Sequence, residues 1–194
     1  MTGDTNRIQG FEALLREEAG RNGPAPVERW DPPYCGDIGM AIRADGLWTY
    51  QGSPIGRLAL VKLFARVLRR DADGRTYLVT PAEKVDVHVE DAPFLAVEMQ
   101  VDGEGADQHL VFRTNVDDIV RCGPEHPLRF VEEAGSGGLK PYLHVRGRPE
   151  ALATRALYYD LVELAVPRPD AGPDRLGIWS GGVWWELTPA AALD

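Results

Sequence analysis

Seven side chains carry most of the chemistry this sequence offers: Arg57, His88, Arg113, Thr114, Asn115, Arg155 and Trp184. Guanidinium groups neutralise anions and orient them through forked hydrogen bonds, Thr and Asn fix a ligand's orientation, and an indole supplies stacking area. Together they describe a site for a small anionic or polar ligand. Arg57 and Arg155 are the sharpest members: Arg57 falls in the first turn of an expected helix, where the helix dipole disfavours a cation, and Arg155 takes the corresponding place in a second copy of the pattern. Something anionic must compensate. It is either an internal carboxylate such as Asp37 or Asp86, or an anionic group of a ligand.

The same region offers an acid–base alternative. His88 shares a strand face with Asp86, and Asp117 and Asp118 follow Asn115, so a hydrolase, with or without a divalent metal, could be assembled from them. The plainer reading is a solvated strand face followed by a helix cap. The sequence holds no phosphate-binding loop of the G-x-x-x-x-G-K-[ST] type, no H-E-x-x-H and no G-x-S-x-G. His88, His109, His126 and His144 do not pair at ligand spacing on one element, so no metal and no cofactor are expected. Cys35 and Cys122, far apart and outside any C-x-x-C pair, read as reduced thiols.

The elements that must position these residues follow from periodicity. Residues 8–19 have helical spacing and are ended by Asn22-Gly23-Pro24. Residues 40–43 and 47–50 flank an Asp45-Gly46 turn as a first hairpin, and Leu78 with the alternating run Val85 to Glu90 makes a second. Phe94 to Val101 and His109 to Thr114 flank a glycine-rich tip as a third. Ser53-Pro54 is expected to open a very apolar helix running to Arg70, and Pro149 a second running to Val166. Asn115, with Asp117 and Asp118 behind it, predicts a short helix stopped by Gly123-Pro124.

Past the flexible stretch 132–140 the pattern starts again. Arg57 aligns with Arg155, Leu63 with Leu161, Leu78 with Leu176, and Val85, Val87 and Val89 with Val183, Trp185 and Leu187, all at one constant offset. The expected fold class is therefore α+β: a duplicated β-hairpin–helix–β-hairpin motif, with mostly antiparallel sheets packed around two very apolar helices. Its expected organisation is an N-terminal helix and linker over 1–26, a first repeat with the inserted hairpin and short helix over 27–131, and a second repeat over 139–194, the two repeats packing as one compact unit. In this alignment Trp185 takes the core phase and Trp184 the polar phase, so Trp184 is either covered by the partner half or a contact surface.

Composition narrows the partners. With 44% apolar residues the 194-residue chain can bury a core, and its net charge of −9 argues against tracking a phosphate backbone or an anionic membrane. No apolar run resembles a signal peptide or a membrane span, which points to the cytoplasm.

Several short runs, in order, resemble a bacterial family of unknown function, DUF1285. They are Cys35-Gly36-Asp37-Ile38, Gly52-Ser53-Pro54-Ile55 with Arg57, Leu78-Val79-Thr80-Pro81, Val89-Glu90-Asp91-Ala92-Pro93-Phe94 and Phe112-Arg113-Thr114-Asn115 with Asp118. His126-Pro127-Leu128, Pro141-Tyr142-Leu143, the run Tyr158 to Leu164 and Trp179-Ser180-Gly181-Gly182 complete the set, so the resemblance covers Val27 to Leu187. It implies repeated α+β motifs and a ligand-binding or signalling role, with no catalytic residues to carry over. The sequence thus points to a non-enzymatic module that binds a small anionic or polar ligand, a protein partner or a second copy of itself. The alternative is the acid–base or metal-assisted hydrolase built on His88.

Overall fold

The computed structural model describes residues 25–133, 135, 137–168 and 172–189, without the side chains of 172–174, 188 and 189. The expected helix over 8–19 lies outside the described residues. The chain divides into two compact units that meet between Asp91 and Ala92.

In the first unit a 3-10 turn, Val27–Arg29, precedes β1 (Tyr34–Ile42), β2 (Trp48–Tyr50) and β3 (Ser53–Pro54). Helix α1 (Leu58–Arg66) follows, then β4 (Leu68–Arg70), β5 (Thr76–Val79) and β6 (Lys84–Val89). They form one six-stranded sheet in the order β3-β2-β1-β6-β5-β4. Each set of three strands is an antiparallel meander, and the two meet where β1 runs parallel to β6. The Asp-Gly turn closes β1–β2 with Met40 opposite Tyr50 and Gly46 at a φ of 80°, a backbone state glycine adopts without a Cβ penalty. Because β3 and β4 are opposite edges, α1 joins one edge of the sheet to the other. Phe64 of α1 stacks on Trp48 of β2 with ring centroids 6.2 Å apart, and both are buried with Met40, Ile42, Leu78 and Val85. Burying a side chain such as Phe64 contributes about 2–3 kcal/mol.

The second unit begins with β7 (Phe94–Asp102), β8 (His109–Thr114) and β9 (Ile119–Arg121), followed by β10 (Leu128–Glu132), β11 (Leu139–His144) and β12 (Glu150–Ala153). These form a sheet in the order β10-β11-β12-β7-β8-β9, with β12 parallel to β7. Helix α2 (Arg155–Glu163) leads into β13 (Val166–Arg168), β14 (Gly172–Ser180) and β15 (Val183–Pro189), a three-stranded antiparallel sheet. Phe94, Ala96, Leu110, Phe112, Leu143, Leu157, Leu161 and Ile178 make the core of this unit.

The order three strands, helix, three strands therefore occurs twice, at β1–β6 and at β10–β15, with β7–β9 between them. The fold class nevertheless has to be corrected. The molecule is mostly β, with three sheets and two helices of nine residues each among the described residues, rather than an α+β fold built around two very apolar helices. Residues 68–70, 150–153 and Val166, counted in the long helices, belong to strands. Short apolar runs fit a buried strand as well as a helix, and a neighbouring strand with open hydrogen-bonding groups decides between them. Nor are the helices apolar all round: α1 buries Leu60, Val61, Phe64 and Ala65 but exposes Leu58, and α2 buries only Leu157 and Leu161. The short helix expected after Asn115 is a turn into β9. There Thr114 Oγ1 accepts from the amides of Val116 and Asp118, and Asp117 takes a left-handed φ of 67°. The Asn115 amide oxygen, expected as a cap, instead accepts from Leu95 N at 3.0 Å.

The stretch 132–138 links β10 to β11, which pair with Glu132 opposite Leu139. No helix among the described residues is long and apolar enough to cross a membrane.

Candidate functional site

Within the second unit, the start of β11, the end of β12 and the first turns of α2 enclose a groove of about 420 Å³, within the range of small-molecule sites. Its walls are Glu133, Gly138, Leu139, Lys140, Pro141, Leu152, Ala153, Arg155, Tyr158 and Tyr159. Strand alternation sets the frame. Leu143 and Ala151 of the paired strands are buried in the core and the half-buried Tyr142 and Leu152 take the other face, and the groove draws on both phases, with Pro141 and Ala153 from the first and Lys140 and Leu152 from the second. Helix α2 contributes through its 3.6-residue period, which buries Leu157 and Leu161 and leaves Arg155 and Tyr159 exposed, one turn apart.

Arg155 donates from Nε and Nη2 to the Tyr159 hydroxyl at 3.3 and 3.1 Å, with its guanidinium 5.8 Å from the Tyr159 ring centroid. That hydroxyl contact raises the Arg155 pKa above its ordinary value, so the group stays cationic throughout the working pH range. Arg155 is the first residue of α2, whose first turn contains no acid, and among the described residues no carboxylate pairs with it. Lys140 Nζ, also in the lining, lies 2.9 Å from Glu133 Oε1. Tyr158 meets Tyr159 edge to face, with ring centroids 5.5 Å apart. Leu139, Pro141 and Leu152 add apolar surface to the lining.

The other residues picked out in the sequence lie elsewhere. Arg57, exposed, is the residue from which α1 departs, and His88 is exposed on β6, both in the first unit. Asp86, the carboxylate weighed as a partner for Arg57, is buried and bound by the Tyr34 hydroxyl and by Arg75 at 2.5 Å. Arg113, Thr114 and Asn115 do come together, at the end of β8. Arg113 is held by Glu98 at 2.5 and 2.8 Å and by Asp117 at 2.9 Å, contacts that raise its pKa further and depress that of Glu98. Thr114 is fully buried in the turn described above. Trp184, on β15, is half-buried, with Gly177 against its ring and the Arg168 guanidinium 5.5 Å from the ring centroid, both from its own sheet. Among the described residues, no group of three His, Cys, Asp or Glu side chains is placed to hold a metal ion.

Lys140, Tyr158 and Tyr159 were not among the site residues picked out in the sequence. The available signal was Arg155 and Tyr159 at i,i+4 on a helix whose buried face is only Leu157 and Leu161, which obliges a tyrosine outward.

Two family models cover the described body of the chain. Residues 25–92 match the N-terminal domain, and residues 93–187 the C-terminal domain, of a family described as a protein of unknown function, DUF1285. Their junction coincides with the division between the two structural units. Among solved structures, a DUF1285 family protein from Silicibacter pomeroyi DSS-3 superposes with a TM-score of 0.84 at 42% identity, over 93% of this chain and 97% of that one. A DUF1285 family protein from Shewanella baltica OS155 gives a TM-score of 0.51 at 29% identity, over 65% of this chain and 91% of the other. No curated protein matches the chain. With both domain models in order along the sequence and a relative of 42% identity over nearly its whole length, the chain belongs to the DUF1285 family.

Proposed function

We propose that this protein is a non-enzymatic module that binds a small anionic ligand in the groove between β11, β12 and α2. The observation that carries the reading is Arg155, a permanent cation at the positive end of a helix, with no carboxylate partner among the described residues, at the wall of a partly apolar groove. An anion there would answer both the guanidinium and the helix dipole. Binding is favoured over turnover because the described lining residues bring together no pairing of a nucleophile with a histidine base. A ligand-responsive module of this kind fits a regulatory or signalling role.

The test is isothermal titration calorimetry with small carboxylates on the wild-type chain and on Arg155→Ala. Replacing the exposed Arg155 leaves the core of α2 intact, so the variant should fold. An affinity loss of about 10- to 100-fold, the worth of one charge-assisted hydrogen-bonded pair, is expected. Equal binding by the two proteins would remove the reading.

A further inference from the structure

Asp86 shows how this chain holds a carboxylate. Buried in the first unit, it accepts from the Tyr34 hydroxyl and from Arg75 Nη2 at 2.5 Å, and the Arg75 guanidinium sits 5.8 Å from the Tyr34 ring centroid. The guanidinium supplies charge and the phenol beside it an O–H, so one carboxylate takes two charge-assisted hydrogen bonds. Arg155 and Tyr159 make a pair of the same kind in the lining of the groove, again with 5.8 Å between guanidinium and ring centroid. Here Nε and Nη2 of Arg155 both donate to the Tyr159 hydroxyl. A phenol oxygen has two lone pairs and one proton, so with its lone pairs turned to Arg155 the Tyr159 proton points away from the cation, whose charge strengthens it as a donor. Tyr34 gives its proton to Asp86 and Tyr77 gives its own to Asp73 at 2.6 Å, whereas Tyr159 donates to no group of the chain among the described residues.

We infer that Tyr159 is a second ligand-binding group of the groove and the one that selects carboxylates: Arg155 attracts the anion and the Tyr159 O–H binds one of its oxygens. The inference rests on the groove being the binding site and adds the residue that sets the ligand class. Charge alone does not separate a carboxylate from a sulfonate, since each carries one negative charge. An O–H donor does, because a carboxylate is by far the stronger base and its oxygens are the stronger acceptors.

The experiment measures, by isothermal titration calorimetry, the binding of benzoate and benzenesulfonate, which share a ring and a charge, to the full chain, to Tyr159→Phe and to Arg155→Ala, each variant checked for native circular dichroism. Tyr159 is half exposed, so removing its hydroxyl leaves the buried Leu157 and Leu161 of α2 untouched. The wild type should bind benzoate about fivefold tighter than benzenesulfonate, and Tyr159→Phe should weaken benzoate about tenfold and benzenesulfonate about twofold, which erases the preference. A hydroxyl that only holds Arg155 in place would on removal lower both affinities by the same factor, and one that only competes for the guanidinium would raise them. Either result overturns the inference, as do unchanged affinities or a wild type with no preference for benzoate. If one of these comes with benzoate binding lost on Arg155→Ala, the groove stands as the site and the Tyr159 assignment alone falls. If Arg155→Ala binds benzoate as the wild type does, or neither probe binds the wild type, both fall together.

Discussion

The Ser180 hydroxyl donates to the Cys122 carbonyl at 2.8 Å while accepting from Leu110 N at 2.9 Å, so one fully buried side chain joins the end of β14 to β8 and to the segment after β9. Gln108 reinforces the junction, donating from Nε2 to Trp179 O at 2.7 Å. The two sheets of the second unit are thus joined by polar contacts inside an apolar core.

Replacing Ser180 by Ala strands a buried amide and a buried carbonyl at once. We expect a loss of about 2–3 kcal/mol, the cost of leaving such groups unsatisfied. Urea unfolding checks it: the midpoint should fall with the slope preserved, and a variant within 0.5 kcal/mol of the wild type, on the same scale as that estimate, would show that the junction is not coupled to folding.

The Trp184 ring occupies the space above Gly177. A Cβ built at Gly177 would lie 2.4 Å from Trp184 Cε2 and 2.6 Å from Trp185 O, so no rotamer of a larger residue is free of collision. Gly177→Ala should therefore cost about 3 kcal/mol or prevent folding of the second unit. Gly182→Ala is the control. Open space surrounds that position, and only its φ of 74° opposes a side chain, at about 1–2 kcal/mol. Thermal melts followed by tryptophan fluorescence should rank the two in that order, and the reverse order would contradict the Trp184 packing.

The three hairpins were legible in the sequence because period-two alternation and tight-turn residues act locally: Asp45-Gly46 closes its turn where those residues predict it. The long helices were not. Val67 and Leu68, or Ala151 and Leu152, satisfy a helical face and a buried strand equally, and what decides is a partner strand: the next one in the chain for Leu68, which pairs Leu78, and a distant one for Ala151, which pairs Phe94. Asn115 misled for a related reason, since its side chain could serve a helix N-terminus until Leu95 of a different strand takes it. Of the candidate site, Arg155 was picked out through its alignment with Arg57, although the expected helix began at Pro149 and the observed one begins at Arg155 itself. Lys140 and Glu133 were not, because the hairpin that brings them together is set by pairing of β10 with β11 across a glycine-rich stretch whose register no local pattern fixes.

The two thiols should differ in reactivity. Burial pushes the Cys122 thiol up to about 11, only partly offset by contacts with Ser180 and Leu128, whereas Cys35 is half-buried near the surface. At pH 8 the thiolate fraction of Cys122 is about one in a thousand, and the nucleophile is the thiolate. Iodoacetamide should add one adduct to the native protein, at Cys35, and a second only in denaturant. Two adducts in native buffer, read by intact mass, would mean that the core around Cys122 opens readily.

Acid should loosen the first unit through Asp71. Burial raises the pKa of this carboxyl, but hydrogen bonds from Arg69 and Lys84 outweigh it, and the net shift is below the ordinary 3.8. A carboxyl whose folded pKa is depressed stabilises the fold fully above its unfolded pKa and loses that contribution as pH falls through the folded value. Arg69 raises the stakes, since its buried guanidinium also ties down the carbonyls of Val27 and Trp30 at 2.7 Å each. Asp71→Asn should therefore cost about 1–3 kcal/mol at pH 7, the range for hydrogen bonds to charged groups. The gap to the wild type should begin to narrow as pH falls below about 4 and close once pH has passed below the depressed folded pKa of the wild-type carboxyl. Denaturant midpoints of both proteins between pH 2.5 and 7 decide the matter: a constant gap across that span would mean that packing, rather than the Asp71 charge, holds Arg69 and the chain before β1 in place.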